Sequence, residues 1–490
     1  MANICKQCGT DYEVEKGHLD FLEKVSPTYD SEKFMLRVPT LCPDCRQQRR
    51  ISWRNERNLY LRTCSKTGKK IIAQYNEDSP FPVYDNEVWW GDGWDALQYG
   101  REIDFTKSFF EQFSELKNHV PHFALAAATT TMENSDYCNH VGYLKDCYLI
   151  YNSDYSERCL YGKGINRCFD CVDCFKIYEC EALYECMNSY NCQFCTYVWD
   201  CHNSSNCDFC FNLIGCRNCF LSVNLQNQQY CFRNEQLTKE EFERKVAEFK
   251  KAHSNEQIFA LFLELKVKFP VKFMNEKNTE NCSGDYLVNC KNCEQCFDCE
   301  YLENSAYCYD LKKGDGVSFE NYDIAAFGVG VIQCYEGSTV GYNANHCLFG
   351  ESVWDSADVH YSMLCVNNSQ HCFGCVGLKK QNYCILNKKY TPEEYERLVA
   401  QLIRHMMKTG EWGEFFPASI SPIPYNDSMA NEYYPMSREK VEAMGWHWRE
   451  RQSIAPGADT LICEASGRPF RLQKAEKEFY EKMQLPVPQF

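Results

Sequence analysis

Asn188-Ser189-Tyr190-Asn191-Cys192 returns fifteen residues later as Asn203-Ser204-Ser205-Asn206-Cys207. Both words belong to a stretch, Cys138 to Cys231, that holds sixteen of the chain's thirty-four cysteines, every one at a residue number divisible by three. From Cys192 through Cys195, Cys201, Cys207, Cys210 and Cys216 the steps are 3, 6, 6, 3 and 6. So short a period predicts a stack of coils, each burying its inward side against its neighbours. The words are rich in Tyr, Phe, Cys, Asn, Ser and Asp, which suit short strands and tight turns. The expectation is a parallel β-solenoid of 15-residue coils spaced about 4.8 Å apart. On it Cys180, Cys195 and Cys210 form one ladder, Cys186, Cys201 and Cys216 a second, and Cys192 and Cys207 belong to a third. A cysteine at every third residue cannot face one side by strand alternation, so turns must intervene.

The array has a partner. Cys219 to Arg244 aligns without a gap with Cys372 to Arg397 at an offset of 153, and 13 of the 26 positions are identical. Each copy runs into a helix start. Thr238 and Glu241 make a capping box, as do Thr391 and Glu394, where Pro392 takes the first helical position. Each helix is expected to cover the open end of its coil stack.

Before the arrays, Cys5-Lys6-Gln7-Cys8-Gly9 and Cys42-Pro43-Asp44-Cys45-Arg46 are two Cys-x-x-Cys knuckles with 33 residues between them. Each brings two thiolates to one metal from a tight turn, and Gly9 permits the positive φ such turns need. Two knuckles complete a tetrahedral set of four thiolates, the usual structural Zn2+ site. His18, in the long spacer, is an alternative ligand. The run Cys5-x-x-Cys8-Gly9 with Val38-Pro39-Thr40-Leu41-Cys42-Pro43-x-Cys45-Arg46 and Arg49-Arg50 resembles the zinc-ribbon domain that opens many uncharacterised bacterial proteins. The cysteine-rich chain behind it is similar to hypothetical proteins of candidate-phyla bacteria. The resemblance implies zinc but no activity. With too little core of its own, residues 1–50 are expected to depend on the metal, and the remainder to stay folded without them.

Residues 42–70 carry nine Lys/Arg against Asp44 and Glu56, a local +7 in a chain of formal charge −16. The overall charge argues against a generally basic nucleic-acid binder. Locally, Arg46, Arg49, Arg50, Arg54 and Arg57 lie close to Trp53 and Tyr60, a pattern that suits phosphate contact and base stacking. The same charges would serve equally as a solvated face or as an internal clamp onto acidic residues. The chain opens with no charged, apolar leader, and its apolar runs are too short to span a bilayer. A cytoplasmic protein without membrane contact is expected, its cysteines kept as thiols or metal ligands.

Cys64-Ser65-Lys66-Thr67-Gly68 and Cys463-Glu464-Ala465-Ser466-Gly467 look like knuckles whose second Cys is replaced by a hydroxyl residue. A hydroxyl is a poor zinc ligand beside thiolates, so each reads as a turn. Trp89-Trp90-Gly91-Asp92-Gly93-Trp94 reads as a core corner, and Phe105 to Val120 as a helix ending before Pro121. Two further helices are expected near the C-terminus, over Ser437 to Met444 and Ala475 to Met483.

The fold class that results is mainly β with capping helices: a small zinc ribbon plus two duplicated cysteine-rich parallel β-solenoid units. Its parts are 1–62 (ribbon and basic segment), 63–130 (aromatic-rich α/β segment), 131–275 (first solenoid unit with helices), 276–410 (second unit with its helix) and 411–490. The last, rich in Pro and aromatic residues, is expected to pack back on 63–130.

Stacked thiols can fill a thin core without metal. The densest, Cys168, Cys171, Cys174 and Cys290, Cys293, Cys296, Cys299, are the candidates for a secondary soft-metal site. No Gly-rich phosphate loop with Lys and Ser/Thr, no His-Glu-x-x-His helix and no Gly-x-Ser-x-Gly elbow is present. Asp355, Asp358 and His360 are the residues an outer-face site would use. The reading is a non-enzymatic, zinc-containing, cysteine-rich scaffold or binding protein that contacts nucleic acid or another protein through its basic segment. The alternative is a redox or iron–sulfur metalloenzyme using the arrays. No small-molecule substrate is indicated.

Overall fold

In the computed structural model the repeating element is a triplet. It describes residues 2–173, 181–184, 192–312, 317–328, 330–450, 460–465, 467 and 469–483. From Asn203 through Asn206, Phe209, Asn212, Gly215, Asn218, Leu221, Asn224, Asn227 and Tyr230, every third residue has φ between 48° and 65°. Asn and Gly visit this left-handed region at least cost, and they occupy most of these positions. Each such residue turns the chain, and the residue after it points inward. Cys201, Ser204, Cys207, Cys210, Leu213, Cys216, Cys219 and Ser222 are accordingly buried.

Four triplets close one coil. Cys207 pairs in parallel with Cys219, and Cys219 with Cys231, an advance of 12 residues (219 − 207). Bridges on the other sides, such as His202 with Ile214 and Ile214 with Gln226, advance by 12 as well, so the parallel pairing wraps around the coil. The expected 15-residue coil is therefore corrected to twelve. The 15-residue recurrence of cysteines records which inward positions carry Cys, whereas coil length is set by the turns. Cys195 stacks in one column with Cys207, Cys219 and Cys231; Cys210 belongs to the column of Val198. Cys174, Cys180 and Cys186 lie outside the described residues.

Why cysteine suits these positions is visible in its contacts. The Cys216 Sγ lies 3.6 Å from the Ile214 carbonyl and 3.5 Å from that of Leu225. The Ser222 Oγ meets the carbonyls of Phe220 and Cys231, two residues back and nine ahead, in the same way. A small side chain that packs as an apolar group yet donates weakly to inward carbonyls satisfies both demands of a thin core. Burial pushes thiols such as Cys159 and Cys210 well above their ordinary range, so they stay protonated.

The chain groups into two compact units, residues 1–124 with 272–449 and residues 125–271 with 450–490. In the second, the array ends in an antiparallel return, Cys231 opposite Gln236, and then two helices, Lys239–Ala252 and Asn255–Lys266. The capping box of Thr238 and Glu241 is formed. These helices do not plug the end of the stack. They lie along its outer side, where Phe249 meets Phe220 and Phe232, and Phe262 meets Trp199. Outward aromatic residues on successive coils leave an apolar stripe that an amphipathic helix covers. The helix Lys474–Met483 adds Phe479 and Tyr480 to the same cluster.

In the other unit the array runs from Glu276 to Lys389 with advances of 11 to 13 residues and one of 16, Leu302 to Ser318. Its register shift falls between Cys282 and Gly284. There only glycine fits: φ is +137°, and a Cβ would sit 1.6 Å from the Cys296 carbonyl oxygen. This array also ends in an antiparallel return, Cys384 opposite Lys389, before the helix Pro392–Thr409 with its Thr391–Glu394 capping box. Tyr395 of that helix packs edge-on to Tyr383 and His371 on the outer side. The N-terminal segment covers the same array: Phe21 stacks on Tyr322 at 3.9 Å and the Tyr29 hydroxyl meets His360 Nδ1 at 2.7 Å.

The expected aromatic segments form. Trp89 is enclosed by Trp90, Trp94 and Phe123, and the helix spans Phe109–Lys117. The C-terminal segment is divided between the units. Residues 411–449 do meet the aromatic segment, with Phe416 stacked on Phe113 and Ile423 clustered with Ile71 and Phe81, but they also pack on Trp53. Residues 460–483 belong to the other unit. Among the described residues no helix is long and apolar enough to cross a membrane.

Candidate metal centre

The N-terminal hairpin pairs Ala2–Ile4 with Asp11–Glu13 and folds its turn around Cys5. Gly9, at φ +75°, lets its amide reach back to the Cys5 carbonyl at 2.9 Å. The Lys6 amide donates to Thr40 at 3.1 Å, which docks this knuckle on the second. There Cys42 is the N-cap of the helix Pro43–Ile51, and Pro43 starts the helix where no amide is needed. The result brings the sulfurs of Cys5, Cys8, Cys42 and Cys45 within 4.8 Å of one another. Cys8 and Cys42 are 3.7 Å apart. Four thiolates at about 2.3 Å from a tetrahedral zinc would be separated by about 3.8 Å, so the cage has the right size.

The four thiols differ in acidity. Hydrogen bonds from Thr10 draw the exposed Cys8 thiol down to about 6. Burial would raise Cys5, but the amides of Cys42, Cys8 and Gln7 hold it below its ordinary value. Burial pushes Cys42 up to about 11 and Cys45 higher still. Two thiols are thus drawn towards the thiolate form and two are held from it, and a metal ion at the centre of the four sulfurs would favour the thiolate form of all four. His18 is not part of it: it is buried beside Tyr322, with ring centroids 5.1 Å apart.

Among the described residues this is the group of three or more potential ligands that closes to such distances. Cys168, Cys171, Cys290, Cys293, Cys296 and Cys299 occupy inward positions of successive triplets, each thiol on backbone carbonyls, as Cys293 is on Lys291 and Leu302. Turns between triplets aim them from different sides of the coil.

The arginines part from the expected nucleic-acid contact. Arg46, Arg49, Arg50 and Arg54 are all buried. Arg46 Nε lies 3.0 Å from Asp323 and Arg50 Nη1 3.1 Å from the same carboxylate. Arg49 bridges Glu336 and Glu414, each at 2.8 Å, and Arg54 reaches Glu56 and Thr339. Asp323 and Glu336 stand at the left-handed position of neighbouring coils, 13 residues apart. The helix Pro43–Ile51 thus clamps onto a column of acids, the internal arrangement weighed from the sequence. Arg57 alone of the five remains half exposed, 3.7 Å from Glu432.

Asp358 sits between His346, at 3.6 Å, and His371, at 3.8 Å, on three successive coils. The hydrogen bond from His346, with His360 and His371, outweighs burial and holds its carboxyl below the usual range. Asp355 accepts from Asn343, and His360 is buried against Tyr29. Sequence reasoning missed His346 and His371, although both lie at coil spacing from Asp358.

No protein-family profile matches the chain, and no curated protein resembles it significantly. Among solved structures, a protein named as an acetyltransferase from Desulfovibrio desulfuricans G20 aligns at 11% identity with a TM-score of 0.11. The alignment covers 47% of this chain and 64% of that one, so this chain spans less than two thirds of that protein's length. So low a score carries no argument about fold or function.

Proposed function

We propose that this chain is a cytoplasmic, non-enzymatic, zinc-containing scaffold or binding protein built from an N-terminal zinc ribbon and two duplicated cysteine-rich β-solenoid units. The observation that carries the reading is the four-sulfur cage of Cys5, Cys8, Cys42 and Cys45, closed in the manner of structural zinc sites. The duplication is supported by the equivalent terminal returns, Cys231 with Gln236 and Cys384 with Lys389, at the sequence offset of 153. Zinc here supplies cross-linking charge, and the chain's own residues orient the thiolates: Gly9 turns the first pair, and Cys42 caps the helix that bears the second.

Interior thiols set on backbone carbonyls favour packing over cluster chemistry. With Arg46, Arg49, Arg50 and Arg54 turned inward, Arg57 is the arginine of that group left at the surface for a partner. Metal analysis of anaerobically purified protein tests the assignment. One zinc per chain, absent from Cys42→Ser, is expected. Iron with inorganic sulfide would support the metalloenzyme, and no metal would remove the ribbon.

A further inference from the structure

The hairpin Tyr60–Thr63 with Lys70–Ala73 repeats the N-terminal hairpin residue for residue. Ile4 pairs with Asp11 in the first, and Thr63 with Lys70 in the second, a shift of 59 for both partners. At the same shift, Cys64 replaces Cys5, Thr67 replaces Cys8 and Gly68 replaces Gly9. The turns agree in detail. The Gly68 amide reaches the Cys64 carbonyl at 2.9 Å and the Cys64 amide reaches Lys69 at 2.8 Å, as Gly9 reaches Cys5 and Cys5 reaches Thr10. Both glycines have φ +75°.

The likeness continues into the second half. The amide after the knuckle cysteine, Ser65, donates to the Val83 carbonyl at 2.9 Å, as Lys6 donates to Thr40. Counting on from Val83 as from Thr40, Asp85 takes the place of Cys42 and Val88 that of Cys45. Asp85 is likewise the N-cap of a helix, Asn86–Trp90. Its amide meets the Cys64 sulfur at 3.3 Å. Against burial, donors at Thr67, Asp85 and Lys66 hold the Cys64 thiol below its ordinary value. They stand where Cys8, Cys42 and Gln7 stand around Cys5.

We propose that residues 60–90 are a second ribbon, a four-ligand metal site converted to a metal-free one, whose ligand positions are Cys64, Thr67, Asp85 and Val88. Hydrogen bonds have taken over the ion's cross-linking. The Asp85 amide ties the helix start to the Cys64 sulfur, and its carboxylate caps Glu87 at 3.1 Å and faces Lys69 at 3.7 Å. Apolar packing holds the rest: Cys64, Ile71, Ala73, Phe81 and Val83 form one buried cluster. Thr67 and Val88 withdraw two soft ligands, so a divalent ion has too few to hold it. The same turn occurs once more, where the Gly467 amide reaches the Cys463 carbonyl at 2.8 Å between the strands Leu461–Ile462 and Pro469–Phe470.

The proposal uses the ribbon reading of residues 2–51, and the test separates the two. Zinc is counted in the wild-type chain and in Thr67→Cys/Asp85→Cys/Val88→Cys, both loaded with zinc and desalted. The wild-type count reports on the first ribbon, and the increment reports on the second. One additional equivalent is expected, with cobalt substitution adding thiolate-to-metal absorption of matching intensity. A folded triple variant that gains no metal overturns the proposal. A second arm needs no variant: hydrogen exchange of the wild-type chain with and without chelator. Loss of protection at residues 2–13 with none at 60–73 is expected, and loss at 60–73 would overturn the metal-free assignment.

Discussion

Arg46 and Asp323 are 277 positions apart in sequence, yet their side chains meet at 3.0 Å in a place sealed from solvent. Burial alone would raise the Asp323 carboxyl; Arg46 and Arg50 outweigh it and hold the group below its ordinary value. A buried pair of this kind tolerates loss of one partner badly, because the other charge stays without compensation. Asp323→Ala is expected to cost about 3–5 kcal/mol in denaturant unfolding. Arg46→Met combined with Asp323→Leu should recover only part of that loss, since Arg50 then keeps Glu336 alone, at 3.9 Å. Because the folded pKa is depressed, the contribution is present above the unfolded value and is lost as pH falls through the folded one. Acid titration of wild type should therefore show a destabilisation that Asp323→Asn lacks.

The inward column offers a second measurement. Cys195 Sγ lies 3.3 Å from the Gln193 carbonyl and 3.8 Å from that of Ser204. Serine makes the equivalent contacts at Ser222. Cys195→Ser should cost no more than about 1–2 kcal/mol, and Cys195→Ala on the order of 1 kcal/mol of packing. Cys195→Asp would bury a charge and cost several. Zinc content should be equal in all folded variants; a fall in Cys195→Ala would show that the column holds metal.

Which parts were legible follows from the range of the interactions. The knuckles are local, so ligand spacing alone pointed to Cys5, Cys8, Cys42 and Cys45. The capping boxes at Thr238 and Thr391 are local too, and both form. The coil length escaped because its signal lies in the turn residues rather than the cysteines. Asn203, Asn206, Asn212, Asn218, Asn224 and Asn227 mark the left-handed positions, but Phe209, Leu221 and Tyr230 adopt the same φ and blur the pattern. The destination of the arginines was illegible for another reason. Their partners Asp323 and Glu336 become a column only once the register of 13 is known.

That clamp changes what deletion of the N-terminus should do. Removing residues 1–62 takes away the guanidiniums of Arg46, Arg49 and Arg50, leaves Asp323 and Glu336 as adjacent uncompensated acids, and uncovers the array side that Phe21 and Tyr29 pack against. The truncated chain is expected to be insoluble or readily proteolysed, in contrast to the separable ribbon suggested by its size. Asp323→Asn with Glu336→Gln in the truncated chain should restore part of the soluble yield, since it removes the repulsion between two like charges on neighbouring coils. A soluble, protease-resistant truncation without those changes would show that the clamp contributes little.

Glu351 gives the opposite pH response from Asp323. It is fully enclosed, and burial pushes its carboxyl up to about 8 against the lesser pull of Ser352 and Arg54. The Ser352 hydroxyl donates to Oε1 at 2.7 Å. In the folded chain Glu351 is therefore protonated at neutral pH, whereas in the unfolded chain it ionises near 4.5. The folded state binds the extra proton between those values, so this residue lowers stability steadily as pH rises from about 4.5 to about 8. Glu351→Gln keeps the shape and an acceptor for Ser352 without the titration. At pH 5 the variant should match wild type within about 1 kcal/mol, and by pH 8 it should be the more stable of the two. Denaturant titrations at a series of pH values read the slope directly. Parallel stability curves for the two proteins would place the Glu351 proton in the ordinary carboxylate range and remove the argument.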